Sequence, residues 1–360
     1  MNIPVYIASA AAWIPPAESA AAAVAAGNYP ANDNDTNKIP CLPVATDEVP
    51  VPDMGVIAGR KALDRAAAVV GDQVDLILHA SIYHQGRDHH WNSAPYIQRE
   101  LGITDAFALN LEGMSNGGMA AIDLAMAQLE AGRGTSALIT TADRFCPPGF
   151  DRWRGSYGIP FGDGATALVL STTGGFARIH AVASTTDASL EPLHRGTAPF
   201  TTAYGVVANE NLRTPKKSYL EEVGSESVLQ RAEETLLSAV SKVLDRTGHR
   251  VDDFARVLVP NMGHGMMEAQ FFKPLNIPAE RTLWNWGRHA GHMGAGDLSA
   301  GVARLVEKKE VGPGDLVLMI GTGGGYSVTV AVLEIESVPE WPETTTDFDL
   351  PADVRDLVRA

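Results

Sequence analysis

Cysteine is scarce in this chain: Cys41 and Cys146 are the two among 360 residues, and neither belongs to a CxxC pair. That excludes a disulfide framework and fits a reducing compartment, because folds that rely on bridges carry many paired cysteines. No apolar run reaches the ~18 residues that a membrane-spanning helix needs. The alanine-rich start "MNIPVYIASAAAWIPPAESAAAAVAAG" lacks a basic leader and is broken by Pro15 and Pro16, which argues against a signal peptide. Positive charge is also short, with 28 Lys and Arg against 43 Asp and Glu and a formal net charge of −15. Such a balance repels nucleic acid and anionic lipid, and no basic stripe interleaved with aromatics offsets it. The expectation is a cytoplasmic protein with no membrane or nucleic-acid partner, in which an acidic partner must meet a local basic patch.

What the chain does have is 45% hydrophobic residues over a length sufficient for two core-bearing halves, and a long, weak internal duplication. "VIAGRKALDRAAAVVG", "VDLILHA", "APYIQRELGI", "EGMSNGGMAAIDLAMAQLEAGRG" and "SALITTA" are followed in the same order by "VLQRAEETLLSAVSKVLDRTG", "FARVLVPN", "EAQFFKPLNI", "AGHMGAGDLSAGVARLVEKKEVGPG" and "LVLMIGTG". Helices alternating with short apolar strands predict an α/β fold with a largely parallel sheet covered on both faces. The two units, residues 1–174 and 175–360, are expected to pack about a pseudo-dyad.

Within the first unit, Ser115 follows the strand-like "AFALNL" and precedes a helix-like run ending at Gly132, so it falls at a strand-to-helix turn. The first N–H groups of a helix lack intrahelical partners and carry partial positive charge, which favours an oxyanion there. A plain N-cap serine has the same setting, and the frame Gly113-Met114-Ser115-Asn116-Gly117 also matches the nucleophile elbow of α/β-hydrolases. The duplication places Gly113 opposite Gly291, which sets His292 across the dyad from Ser115.

"FGDGATALVL" (161–170), "GTGGGYS" (321–327), "VLVPNMGH" and "RHAGHMGAGD" together resemble the ketosynthase III family of the thiolase fold over nearly the whole chain. The resemblance implies an internally duplicated, layered α-β-α-β-α architecture. Condensing members use Cys, His and Asn, and the matching positions here read Ser115, Asn261 and His292. The pattern is closer to a branch of ketosynthase III-like acyltransferases of antibiotic and polyketide pathways, whose Cys or Ser works with His and Asp of a GH-x4-D turn. That gives Ser115, His292 and Asp297. A serine needs a base and the base an orienting carboxylate. Five residues apart on one helix would put His292 and Asp297 ~140° apart, so His292 is expected in the loop before the helix and Asp297 in its first turn.

The implied activity is transfer of a short acyl group from a coenzyme A or acyl-carrier-protein thioester, through acyl-Ser115, to a small-molecule hydroxyl or thiol. The resemblance further implies a homodimer, no permanently bound cofactor, and an oxyanion donor at Gly325 beside the Ser115 N–H, with Asn261 in the same chamber. Arg144, Arg152 and Arg154 form the densest basic group near the expected chamber and are candidates for binding phosphate or a phosphopantetheine arm. His264 is a candidate displaced base. His84, His89 and His90 have no second cluster at zinc-like spacing, so no metal site is expected, and His194 lies in a stretch that does not align. The alternatives are starter-unit condensation as by a 3-oxoacyl carrier-protein synthase, an α/β-hydrolase esterase taking the GMSNG frame literally, and a degenerate, non-catalytic carrier-binding partner.

Overall fold

Runs such as "LILHA" and "GATALVLS" are apolar on both faces, which suits strands covered on both sides, and both are buried throughout. The computed structural model describes residues 3–87, 90–197, 199–200 and 211–359. Its strands are β1 (Val5–Trp13), β2 (Ala17–Ser19), β3 (Cys41–Pro43), β4 (Leu76–Ala80), β5 (Phe107–Leu111), β6 (Ser136–Asp143), β7 (Gly164–Ser171), β8 (Ala177–Thr186), β9 (Arg256–Leu258), β10 (Leu316–Gly323) and β11 (Ser327–Ile335). β2 and β3 form a small ribbon, and the other nine make one sheet in the order β5-β4-β6-β7-β1-β8-β11-β10-β9.

The two series of strands meet where β1 pairs with β8 over Val5–Ile7. Parallel pairing is confined to β4 with β5 and β6, and to β9 with β10. The expected largely parallel sheet is therefore corrected: every other pairing in it is antiparallel. Each unit opens with an extra strand, β1 or β8, that sits beside the last strand of its own series, and β10 turns straight into β11, so neither arrangement needs a crossover helix.

The helices give the layers. Met119, Ile122 and Leu129 of the helix Gly117–Glu130, and Leu298, Val302 and Leu305 of the helix Asp297–Glu307, share one apolar cluster with residues from both ends of the sheet, among them Leu78, Ile139, Met319 and Leu333. The helix Val51–Val70 covers the outer face of the first series through Met54, Ala58 and Ala62, and Ser225–Thr247 covers the second through Leu236, Val240 and Val243. The result is the expected α-β-α-β-α stacking. A sheet built from two successive series of strands around inner helices, with His292 ahead of Asp297 in the chain, does not fit the unduplicated sheet and acid-before-histidine order of an α/β-hydrolase, and that alternative is set aside.

The two inner helices approach closely because Gly118 has no side chain: a Cβ there would stand 2.4 Å from the Ala295 carbonyl oxygen. A second fixed point is Asp163 of the FGDGA motif, fully buried at the start of β7. Its carboxylate accepts two hydrogen bonds from the Arg152 guanidinium (2.8 and 3.0 Å) and two from the Ala45 and Phe145 amides (2.9 and 2.8 Å). Removing one partner of such a pair strands a buried charge, at a cost of about 3–5 kcal/mol. Arg152→Met is therefore expected to lower the urea unfolding midpoint strongly, whereas Arg154→Met, which breaks an exposed pair with Asp151, changes stability by about 1 kcal/mol or less.

Candidate active site

Ser115 sits in a single tight turn, Met114–Asn116, between β5 and the helix Gly117–Glu130. Met114 has φ +50°, a left-handed conformation that costs a side-chain-bearing residue on the order of 1 kcal/mol and recurs at functional sites. On the other side, Asn116 anchors the turn by donating to Ser327 Oγ (3.1 Å) and Thr329 Oγ1 (2.9 Å) of β11.

His292 lies in the turn between the helix Trp284–Ala290 and the helix that Asp297 opens. Its backbone is clamped to the FGDGA motif, since the His292 N–H donates to the Pro160 carbonyl and its own carbonyl accepts from the Gly162 N–H, both at 3.1 Å. The ring, 2% exposed, stands with Nε2 at 2.7 Å from Ser115 Oγ and Nδ1 at 2.6 Å from Asp297 Oδ2. Asp297 also accepts from the amides of Met293 (2.7 Å) and Asn261 (2.8 Å). An ionised carboxylate only accepts hydrogen bonds. It therefore keeps the imidazole proton on Nδ1 and leaves the Nε2 lone pair for the Ser115 hydroxyl proton.

A further carboxyl supports this turn from behind. Asp143, fully buried at the end of β6, accepts from the Ile82 and Tyr83 amides at 2.9 Å each and from Ala295 at 3.4 Å. Gly294 meets it edge-on with φ +63°, and a Cβ there would come 2.0 Å from Asp143 Oδ2. Burial outweighs these hydrogen bonds and pushes the Asp143 carboxyl up to about 7.

Ser115 and His292 face a cavity of about 70 Å³ whose walls include Ile82, Phe145, Phe161 and His194. At about 10–15 Å³ per water, that is room for on the order of five non-hydrogen atoms. A wider cleft of about 480 Å³ adjoins it, sharing Ile82, Tyr83, Met114 and Gly324.

The structure brings Ser115, His292 and Asp297 together and distributes the other expected residues differently. Gly324 lines the cavity, while Gly325, at φ +90°, stands one residue beyond it. Asn261 contributes its backbone N–H to Asp297; its side chain turns to Gly287, and Nδ2 is buried with no partner among the described residues. His264 packs edge-on against Trp284 and Phe272, outside the cavity wall. The arginine cluster is not a free basic patch: Arg144 pairs with Asp47, Arg152 with Asp163 and Arg154 with Asp151. Asp47 and Asp163 are brought to Arg144 and Arg152 by the fold, whereas Asp151 stands three residues before Arg154 in the sequence. His89 lies outside the described residues. Among those described, no group of three or more His, Cys, Asp or Glu is arranged to hold a metal ion. His194, which no motif singled out, does line the cavity.

Comparison with known proteins supplies the class. Residues 109–188 match the family model described as 3-oxoacyl-[acyl-carrier-protein] synthase III, and residues 244–335 match that of its C-terminal part. The solved structure of ChlB3, described as an acyltransferase, is 34% identical, with 93% of this chain and 98% of that one covered at a TM-score of 0.87. The 3-oxoacyl-(acyl carrier protein) synthase III of Pseudomonas aeruginosa PAO1, at 20% identity, covers 94% of this chain and is itself wholly covered, with a TM-score of 0.75. Acetoacetyl CoA synthase NphT7 of Streptomyces sp. strain CL190 is 28% identical over 300 residues, 81% of this chain and 85% of that protein. The fold is thus that of the thiolase-like enzymes. Within it, the chain belongs to the ketosynthase III family.

Asp143 gives the site a pH signature. The folded chain holds this proton to about pH 7, whereas an unfolded aspartate releases it near 4. Between those values the folded state binds more protons, so this group's contribution to stability is present below pH 4 and is lost as pH rises towards 7. Asp143→Asn, neutral and of the same shape, is expected to flatten that part of the stability curve, read from urea midpoints between pH 4.5 and 7.5. An unchanged slope in the variant would mean that the carboxyl is ionised throughout.

Proposed function

We propose that this enzyme is an acyltransferase of specialised metabolism that moves a short acyl group from a coenzyme A or carrier-protein thioester to an acceptor hydroxyl or thiol through acyl-Ser115. The observation that carries the reading is the continuous hydrogen-bonded series Ser115 Oγ, His292 Nε2, His292 Nδ1, Asp297 Oδ2, facing a small apolar-walled cavity. Similarity to the ChlB3 acyltransferase supports it.

In the first half-reaction Ser115 Oγ attacks the thioester carbonyl while its proton passes to His292 Nε2. The oxyanion forms at the N-terminal end of the helix Gly117–Glu130, where the Ser115 N–H and the Gly324–Gly325 turn supply donors. As the carbonyl re-forms, the C–S bond breaks and the departing thiolate takes the proton from His292. The acceptor then enters, gives its proton to Nε2 and attacks the ester, and Ser115 leaves with that proton. Asp297 holds the ring and offsets its transient positive charge. The small cavity suits two- to four-carbon acyl groups.

The chain works without a permanently bound cofactor in this proposal, in the cytoplasm. Its two units, 1–174 and 175–360, each supply one side of the site. The proposal includes a homodimer, and the edge position of β5, with Phe107 66% exposed, supports pairing of a second copy there. A second reading, decarboxylative condensation, draws support from the likeness to acetoacetyl CoA synthase NphT7.

Incubation with acetyl-, propionyl- and malonyl-CoA, followed by digestion and mass spectrometry, is expected to find the acyl group on the Ser115 peptide and none in Ser115→Ala. Asp297→Asn should acylate about 10⁴-fold more slowly, the scale seen when an orienting carboxylate is neutralised. Labelling of Ser115→Ala at the wild-type rate would end the acyl-serine mechanism, and carbon dioxide release with malonyl-CoA and an acceptor thioester would favour condensation.

A further inference from the structure

The proposed mechanism uses one of the two imidazoles that line the cavity among the described residues. The other, His194, has a buried Nδ1 with no hydrogen-bond partner among the described residues. This atom lies 3.3 Å from the position a Cβ would take on Gly324, the glycine that also walls the cavity. Asn261, which replaces the histidine expected from the family pattern, points elsewhere, so His194 is the second polar ring at the reacting end.

Behind it stands Lys216. Leu212 lines the cavity and caps the helix Arg213–Val223, and the Lys216 amide donates to the Leu212 carbonyl at 3.3 Å. A four-residue offset puts both side chains on one face of the helix. Burial lowers the Lys216 pKa. Desolvation, and secondarily the Lys216 charge, bring His194 down to about 4.

Four other cations of these segments and their neighbours, among the described residues, are matched by acids. Arg213 pairs with Asp33, Lys217 with Glu221, Arg195 with Glu191 and Arg231 with Asp187. Lys216 and His194 have no carboxylate within ion-pairing distance among the described residues. A desolvated cation without a counter-charge is costly, and a ligand bearing the missing charge offsets that cost.

We propose that His194 and Lys216 form a carboxylate subsite at the acyl cavity, selecting a thioester whose short acyl group ends in a carboxylate. The cavity's volume favours this source of charge over a carboxylate on a bulky acceptor. Such an acyl group places its carbonyl at Ser115 and its anionic end at the His194 imidazole, with Lys216 neutralising the charge. The assignment rests on the acyl-thioester reading of the site, and it adds which acyl groups bind.

The test uses full-length Ser115→Ala, which cannot be acylated at residue 115, and compares malonyl-CoA with acetoacetyl-CoA, its uncharged analogue of nearly equal shape, by titration calorimetry at pH 7. A hydrogen-bonded charge pair of about 1.5–3 kcal/mol predicts that malonyl-CoA binds about tenfold or more tightly. Adding Lys216→Met should abolish the preference, adding His194→Gln should weaken it, and Lys216→Glu should invert it. Equal affinities in Ser115→Ala, or a preference that survives both Lys216→Met and His194→Gln, would overturn the subsite. The comparison within Ser115→Ala stands even if a Lys216 variant unfolds. Propionyl labelling of wild-type Ser115 reports separately on the acyl-serine mechanism, so either idea can fail alone.

Discussion

The structure depends on one contact: the imidazole of His292 suspended between a hydroxyl from one series of strands and a carboxylate on its own side. The bond to the Ser115 hydroxyl exists only because two helix-opening turns come almost backbone to backbone. Gly118 permits that approach, because any larger residue would collide with Ala295. The remaining architecture holds this distance. The inner helices share a single apolar cluster with both ends of the sheet, and Asn116 ties the serine turn to β11 in the other series.

Buried carboxylates do much of the aligning. Asp163 gathers the chain around Ala45, Phe145 and Arg152, and so fixes the FGDGA backbone on which His292 hangs. Asp143 joins the Ile82–Tyr83 cavity wall to the turn preceding Asp297. Asp297 accepts two amides in addition to the imidazole. Each of these acids sits at the end of a strand or the start of a helix, where backbone N–H groups would otherwise be left without acceptors.

The meeting of Ser115, His292 and Asp297 was legible in the sequence because its constraints are local. Glycines before a helix mark a sharp turn, and a five-residue gap between His292 and Asp297 excludes a shared helix face. The layers were legible from apolar runs and the repeat. Strand direction was not, since short buried strands read alike in parallel and antiparallel pairing and only the links decide. The arginines misled for a related reason: Arg152 looks like a free cation until the fold carries Asp163 to it. Asn261 acts through its peptide group, which a side-chain pattern does not reveal, and His194 reaches the cavity from a segment without a motif.

The division of these groups between two series of strands has a consequence for the chain while it is being made. Residue 115 emerges from the ribosome well before residue 292, and until the later portion docks, the serine hydroxyl has no proton acceptor beside it. Under the proposed acyl-serine mechanism, a partly synthesised or half-assembled molecule is thus inert towards thioesters, and reactivity arrives only with completed architecture.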